Sequence, residues 1–315
     1  MTRVEEFPGE RWDELVPTLL GGGPYQTAAW GRSVEAAFGG RFQVLTLVDE
    51  ARYFIPVLSG SALARDGFLC GHVGYGGVFH ESLGAGLPLS RQLEVLGAVE
   101  QSLGLGCRRF VSSPSPQKLF PSHVPGLATT LQPLPSTAEA LPKVYSGNVR
   151  NMLKRCEKDG LTARPLGPQD FEVCLSQIQQ TQARVNASYQ TPRALLQALF
   201  SAGEGFFLGM GCWQGERLLS VGVFLCSGAR VAYYLNGWDR DSAGLSPNYL
   251  MLHETFRACV QRGHQVVDLG YSHSDALRAS KLRWGGAPAF YMSLVGGPGR
   301  TVHEAYQQAV RSAPA

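Results

Sequence analysis

The sequence predicts a mixed α/β protein built from two similar units in tandem. Three observations predict it. Apolar stretches are strand-sized, as at 206–210 and 218–226, and alternate with helix-spaced patterns. One order of elements, helix, β-hairpin, further strand, helix, strand, is read twice along the chain, although no residue-level repeat accompanies it. Seven prolines between residues 113 and 142 mark a linker-like break between the two runs. We place the boundary near residue 135, giving an N-terminal unit 1–135 and a C-terminal unit 136–315.

In the first unit the pattern predicts a helix over 28–38 and two strands over 42–48 and 52–58, with a turn at 49–51. A glycine-rich, strand-like stretch covers 68–79. Leu89, Leu93, Leu96, Val99 and Leu103 give a helix over 87–103 that Gly104 and Gly106 end. A short strand follows at 109–112, and 128–131 can add one strand inside the linker. In the second unit helices are expected at 144–158, 170–183 and 192–201, then strands at 205–212, 217–226 and 230–237. Ser246 suits an N-cap and Pro247 the first helical position of the next helix. Tyr249, Leu252, Phe256, Cys259 and Val260 form its apolar stripe, and Gly263 stops it. A buried strand at 266–269, another at 289–295 and a terminal helix at 302–310 complete the pattern.

Composition sets the class. Of 315 residues, 44% are hydrophobic and 17% charged, as in a globular rather than a disordered chain. No apolar run reaches the ~20 residues of a membrane span, and residues 1–7 lack the apolar core of a signal peptide, so the expected compartment is the cytoplasm. The seven cysteines contain no Cys-x-x-Cys pair, and no metal site is expected. Net charge is +3, unevenly spread. Residues 1–135 hold 10 Lys+Arg against 12 Asp+Glu, a net of −2, and residues 136–315 hold 18 against 13, a net of +5. An anionic partner therefore belongs to the second unit. Arginine supplies 23 of the 28 basic residues, which suits bidentate anion recognition and equally a high-GC genome.

Four constellations can carry chemistry. Arg150, Lys154 and Lys158 recur every four residues, with Arg155 beside them, and form either a phosphate-binding stripe or a solvated helix face. Residues 277–286 hold Arg278, Lys281 and Arg283 beside Trp284 and two glycines, after a polar loop at 271–275. A lysine there can neutralise charge on an ester or phosphate oxygen, or the segment is a surface turn. Asp268 closes a buried strand, where an acid needs a partner or a role: a base, an orienting group, or an ion-pair partner of Lys281 or Arg283. Gly71-His72-Val73-Gly74-Tyr75-Gly76-Gly77 permits close backbone approach but is no dinucleotide fingerprint. No Walker, HExxH or GxSxG motif is present, and no nucleophile–base pair is visible. Direct transfer is therefore expected over a covalent intermediate.

Several short motifs, in this order, resemble FemAB-like proteins: Tyr25-Gln26-Thr27-Ala28-Ala29-Trp30, Val73-Gly74-Tyr75-Gly76-Gly77, the helix from Arg150 to Gly160, the strand end Tyr234 to Gly237, Ser246-Pro247-Asn248-Tyr249-Leu250, residues 263–270 and Lys281 to Gly286. They span residues 25–295. The resemblance implies two tandem GNAT-like domains with mixed, mainly antiparallel sheets, the C-terminal one carrying the donor site. It also implies transfer of an amino acid from aminoacyl-tRNA, as co-substrate rather than cofactor, to an amine of a peptide, peptidoglycan precursor or peptide-type natural product, with a small amine or peptide as acceptor. In the family the late basic motif reads Phe-Lys before a glycine-rich turn; here it is Ser280-Lys281, with the lysine kept and the aromatic lost. Peptidoglycan-acting members carry a basic residue soon after the tryptophan, and Arg32 follows Trp30 here. The expected site comprises Lys281 and Asp268 for chemistry. Arg150, Lys154, Arg155, Arg283, Tyr75, Tyr234, Asn248, Arg32 and Trp30 are expected to bind substrate. An acyl-CoA N-acyltransferase is the first alternative. Residues 238–245, joining a central strand to the next helix, oppose it with two aspartates and one glycine where a pyrophosphate would need a glycine-rich turn. A non-catalytic binding protein of the same fold is the second.

Overall fold

The structure, a computed structural model, describes residues 3–312 apart from 50, 65, 72–73, 82–85, 125, 188 and 297–299. His72 and Val73 of the glycine-rich motif thus lie outside the described residues. The chain forms two compact units, residues 1–129 with 288–315, and residues 130–287. Residues 288–315, expected in the C-terminal unit, fall in the first unit.

The elements run β1 (Arg3–Phe7), α1 (Gly9–Leu15), α2 (Ala28–Phe38), β2 (Arg41–Val48), β3 (Arg52–Ser59), β4 (Gly67–Cys70), β5 (Phe79–His80), α3 (Leu89–Leu103), β6 (Gly106–Val111) and β7 (Leu127–Pro133). There follow α4 (Leu141–Val144), α5 (Gly147–Lys158), β8 (Thr162–Pro165), α6 (Phe171–Arg184), α7 (Arg193–Ser201), β9 (Phe207–Gln214), β10 (Arg217–Ser227) and β11 (Arg230–Trp238). The chain ends with α8 (Pro247–Gln261), β12 (Val266–Tyr271), α9 (Asp275–Leu282), β13 (Ala287–Tyr291), β14 (Ser293–Val295) and α10 (Val302–Ser312).

Two sheets have matching plans. One has the order β1-β2-β3-β4-β6-β14, with β5 beside β3; the other has the order β13-β7-β12-β11-β10-β9-β8. In each, four strands pair antiparallel in succession, and the fourth gains a parallel neighbour reached through one helix: β4–α3–β6, and β11–α8–β12. A parallel neighbour requires such a crossover, and the helix covers one sheet face. In the second unit α8 does so through Met251, Phe256 and Cys259, which join Phe224, Val231, Val267, Leu269 and Trp284 in one core. Phe224 is fully buried and stacks on Tyr233 with centroids 4.6 Å apart. On the other face, α6 lies so close to β11 that a Cβ at Gly237 would sit 2.8 Å from backbone atoms of Gln177 and Ile178.

Local departures from the pattern have physical causes. The expected helix 144–158 is broken at Tyr145, which is extended, and restarts where Ser146 caps Val149 N–H. Ser246 adopts a left-handed conformation (φ 57°) and caps nothing through its side chain, so Pro247 alone sets the start of α8. The polar stretch after β12 is a helix, α9, capped by Ser274 on Leu277 N–H. Strands β13 and β14 replace one continuous strand, and β1 and α1 were not legible in the pattern. Truncating Phe224 to Ala opens a cavity under α8. It is expected to cost about 3–5 kcal/mol of the second unit's stability, read as a shift of its denaturant midpoint; a cost under ~1 kcal/mol would contradict this packing.

Candidate functional site

The parallel pair β11–β12 is short. Register holds from Arg230↔Val266 to Ala232↔Asp268, yet β11 continues to Trp238 and β12 to Tyr271. Two features part the strands beyond that point. In β11, Val223 faces Leu235 and Phe224 faces Tyr233, so Tyr234 is an extra, bulged residue. In β12, Gly270 takes φ +75°, a left-handed turn that glycine adopts without strain. The carboxyl ends of the two strands are thus an opening in the sheet, where ligands commonly sit in α/β folds.

Lys281, in the last turn of α9, closes the β12 side of this opening. Its Nζ donates to the carbonyls of Gly270 and Tyr271, both at 2.8 Å. Asp268 is 9% exposed and accepts the Gly270 N–H at 2.8 Å through Oδ1, bending the strand end into place. Burial pulls the Lys281 pKa from its ordinary value down to about 8, against the opposing pull of the Asp268 charge. An ammonium has three donors, so two bonds to carbonyls leave the third N–H without a partner among the described residues. Lys281 is therefore held by the backbone, and the expected pairing with Asp268 acts as field rather than as a direct bond.

Faces follow from register. Val231, Tyr233, Val267 and Leu269 point into the core under α8, so Arg230, Ala232 and Asp268 share the opposite face. Tyr234 meets Tyr189, from the α6–α7 connection, hydroxyl to hydroxyl at 3.4 Å. Three expected residues, Lys281, Asp268 and Tyr234, are thus brought to one region. Among the described residues, the buried Oδ1 of Asn248, in the first turn of α8, and the buried Oγ of Ser272, just past β12, have no hydrogen-bond partner. Arg230, Tyr189 and Ser272 were missed by sequence reasoning; only Arg230, a cation opening an otherwise apolar strand, carried a signal.

The basic helix adjoins α9, because Ser146 N–H, at the cap of α5, donates to the Arg283 carbonyl at 2.8 Å. Trp284 then packs on Tyr145, Tyr249 and Phe256 with centroids 5.0, 5.7 and 5.3 Å apart. The stripe itself is divided. Arg150 folds back onto the carbonyls of Pro142 and Tyr145, and Arg155 pairs with Asp159 at 3.7 Å. Lys154, Lys158 and Arg283 are exposed. Arg150, itself exposed, thus also braces the α4–α5 break.

Trp30 and Tyr75 belong to the first unit. With Tyr25, Val34, Phe42 and Gly76 they line an apolar cleft. Tyr25 meets Trp30 and Tyr75 edge-on at 5.3 and 5.4 Å, and Gln26 fixes the glycine turn through the carbonyls of Tyr75 and Gly76. Arg32 is exposed on α2. All seven cysteines are buried and unpaired with one another, and burial raises their thiols, as with Cys70 at about 12. They are core residues rather than nucleophiles. Among the described residues no cluster of His, Cys, Asp and Glu is arranged to hold a metal, and no helix is long and apolar enough to cross a membrane.

The start of α8 decides how well a coenzyme A pyrophosphate fits. Such a group needs free backbone N–H donors there. Asp241 N–H goes to Asp239 Oδ1 at 3.0 Å, Ser242 N–H to Asp239 O at 3.1 Å and Tyr249 N–H to Ser246 O at 3.0 Å. Pro247 has no N–H, and two carboxylates stand in the loop. Three N–H groups at the start of α8 are thus occupied, with two carboxylates beside them.

Comparison with known proteins agrees with this architecture. Residues 145–276 match the family model described as Acetyltransferase (GNAT) domain. The structure of FemX superposes with a TM-score of 0.62 at 10% identity, covering 97% of this chain and 99% of that one. The C-terminal domain of a putative lysylphosphatidylglycerol synthetase from Agrobacterium fabrum gives 0.55 at 12% identity, covering 96% and 95%. A tandem GNAT protein from the clavulanic acid biosynthesis pathway gives 0.52 at 11% identity, covering 95% and 99%. No curated protein matches the chain in sequence. The chain thus has the tandem GNAT fold that its FemAB-like motifs implied, with a GNAT domain match in its second unit.

Proposed function

We propose that this protein is an N-acyltransferase that moves an aminoacyl group from aminoacyl-tRNA to the amine of a small or peptide acceptor. The carrying observation is the Lys281 ammonium, fixed by two carbonyls at the open ends of β11 and β12, with one donor left. The neutral amine attacks the ester carbonyl, a C–N bond forms and the C–O bond to the ribose breaks. The electron pair of that bond goes to the ribose oxygen, which gains a proton as the amine loses one. Lys281 donates to the oxygen on which charge develops, and its fixed position costs no reorganisation at that moment. No covalent intermediate is required, because the tRNA ester is already activated and needs mainly positioning.

The FemAB-like motifs support a tRNA donor, and the occupied amides and carboxylates before α8 weigh against acyl-CoA. Lys154, Lys158 and Arg283 would meet its phosphates, with Tyr234 and Asn248 beside the carbonyl and Asp268 setting the strand end. In the first unit, Trp30, Tyr75 and Arg32 would bind substrate. A charged tRNA donor places the reaction in the cytoplasm.

Incubation with a pool of charged tRNAs and candidate amines, read by mass, is expected to give an aminoacylated amine that ribonuclease pretreatment abolishes. Product formed from acyl-CoA instead would overturn the donor assignment, and tRNA binding without product would identify a binding protein of this fold. Lys281→Ala is expected to cut kcat about 10²–10³-fold with the fold unchanged by circular dichroism. Since the ammonium exists below its pKa of about 8, activity that needs it declines as pH rises through about 8. Lys281→Arg, charged throughout, is expected to remove that decline. A wild-type limb that persists unaltered in Lys281→Arg would place the titration elsewhere. Replacing Lys154 and Lys158 together by Ala is expected to weaken tRNA binding and reduce its log–log salt slope by about 2; an unchanged slope would move the tRNA off α5.

A further inference from the structure

Arg230 opens β11 on the face shared with Asp268 and away from the α8 core. It is half-buried, yet among the described residues its guanidinium has no hydrogen bond or ion pair. Five planar N–H donors in a partly desolvated place are an uncommon thing to leave unused. Burial lowers the Arg230 pKa, and the Asp268 charge acts against that shift, as it does at Lys281. The face therefore carries a cation at its near end, a carboxylate in the middle and a second cation at the open end.

We propose that Arg230 is the carboxylate anchor of the acceptor, so that the acceptor is an amine that also carries a carboxylate, in the form of an amino acid or short peptide. The inference deepens the transferase reading of this site and rests on it. The ligand class follows from charge and spacing. Asp268 stands two residues further along the paired strand, opposite Ala232. It attracts the acceptor's ammonium before the proton is lost, and it disfavours a phosphate dianion at Arg230. A single planar guanidinium matches a carboxylate through two parallel bonds. From the level of Val266, opposite Arg230, to Gly270, which holds Lys281, the strand advances about 13 Å. Side-chain reach at both ends shortens that gap towards the ~7 Å of an extended dipeptide.

Binding tests this apart from catalysis. L-alanyl-L-alanine and its C-terminal amide would be titrated into the full chain by calorimetry or ligand-observed NMR, with inorganic phosphate and acetate as competitors. The free acid is expected to bind about tenfold more tightly than the amide. Arg230→Ala is expected to erase that preference with the melting temperature preserved, and Arg230→Lys to keep part of it. Equal binding of acid and amide, binding of neither, a preference that survives in Arg230→Ala, or phosphate displacing the dipeptide at lower concentration than acetate would each overturn the anchor. If the preference holds while no charged tRNA yields product, the anchor stands and the aminoacyl-tRNA reading falls. If product forms and acid and amide acceptors react equally well, the reverse follows.

Discussion

The ammonium of Lys281 on the carbonyls of Gly270 and Tyr271 is the contact on which the rest of the second unit's site depends. Where β11 and β12 stop pairing, the carbonyls of β12 lose their ladder partners, and a buried carbonyl without a partner is costly. Widening by the Tyr234 bulge and the Gly270 turn creates the opening; a charged donor from α9 makes it tolerable. In the proposed reaction the same ammonium would also donate to the oxygen on which charge develops. Stabilising the strand end and serving that reaction would then be one interaction, at a desolvated ammonium with a depressed pKa.

The two units share one plan, four antiparallel strands followed by a helix and a parallel strand, but they differ in chemistry. The first offers an apolar cleft of Tyr25, Trp30 and Phe42 beside a glycine turn. The second carries the buried Asp268, the half-buried Arg230 and Lys281, and an exposed basic helix. The net charges of the two sequence halves, −2 and +5, anticipated this division before any site was visible.

Long periodic elements were legible in the sequence. The helix α8 came from its apolar stripe and stop glycine, and the β9–β10–β11 meander from strand-length apolar runs. What escaped was set by tertiary context. Nothing local shows that Tyr145 breaks a continuous helical pattern, because that residue is extended to pack between Trp284 and Phe256. Nor does composition show that residues 288–315 return to the first unit, since strand exchange is decided by pairing between distant segments. Lys281 and Asp268 were identifiable as unusual residues for their positions. Arg230 was passed over because a cation at a strand start reads as solvent-facing until the sheet's face is known. The brace that Arg150 forms was not legible, because helical spacing says nothing of the carbonyls it folds onto.

Titrating the five lysine side chains by ¹⁵N NMR on the labelled chain tests the central claim most directly. One ammonium, absent in Lys281→Arg, is expected to titrate near pH 8. A titration in which no lysine changes near pH 8 would mean that no desolvated ammonium stands at the end of β12, and the site built around it would be wrong.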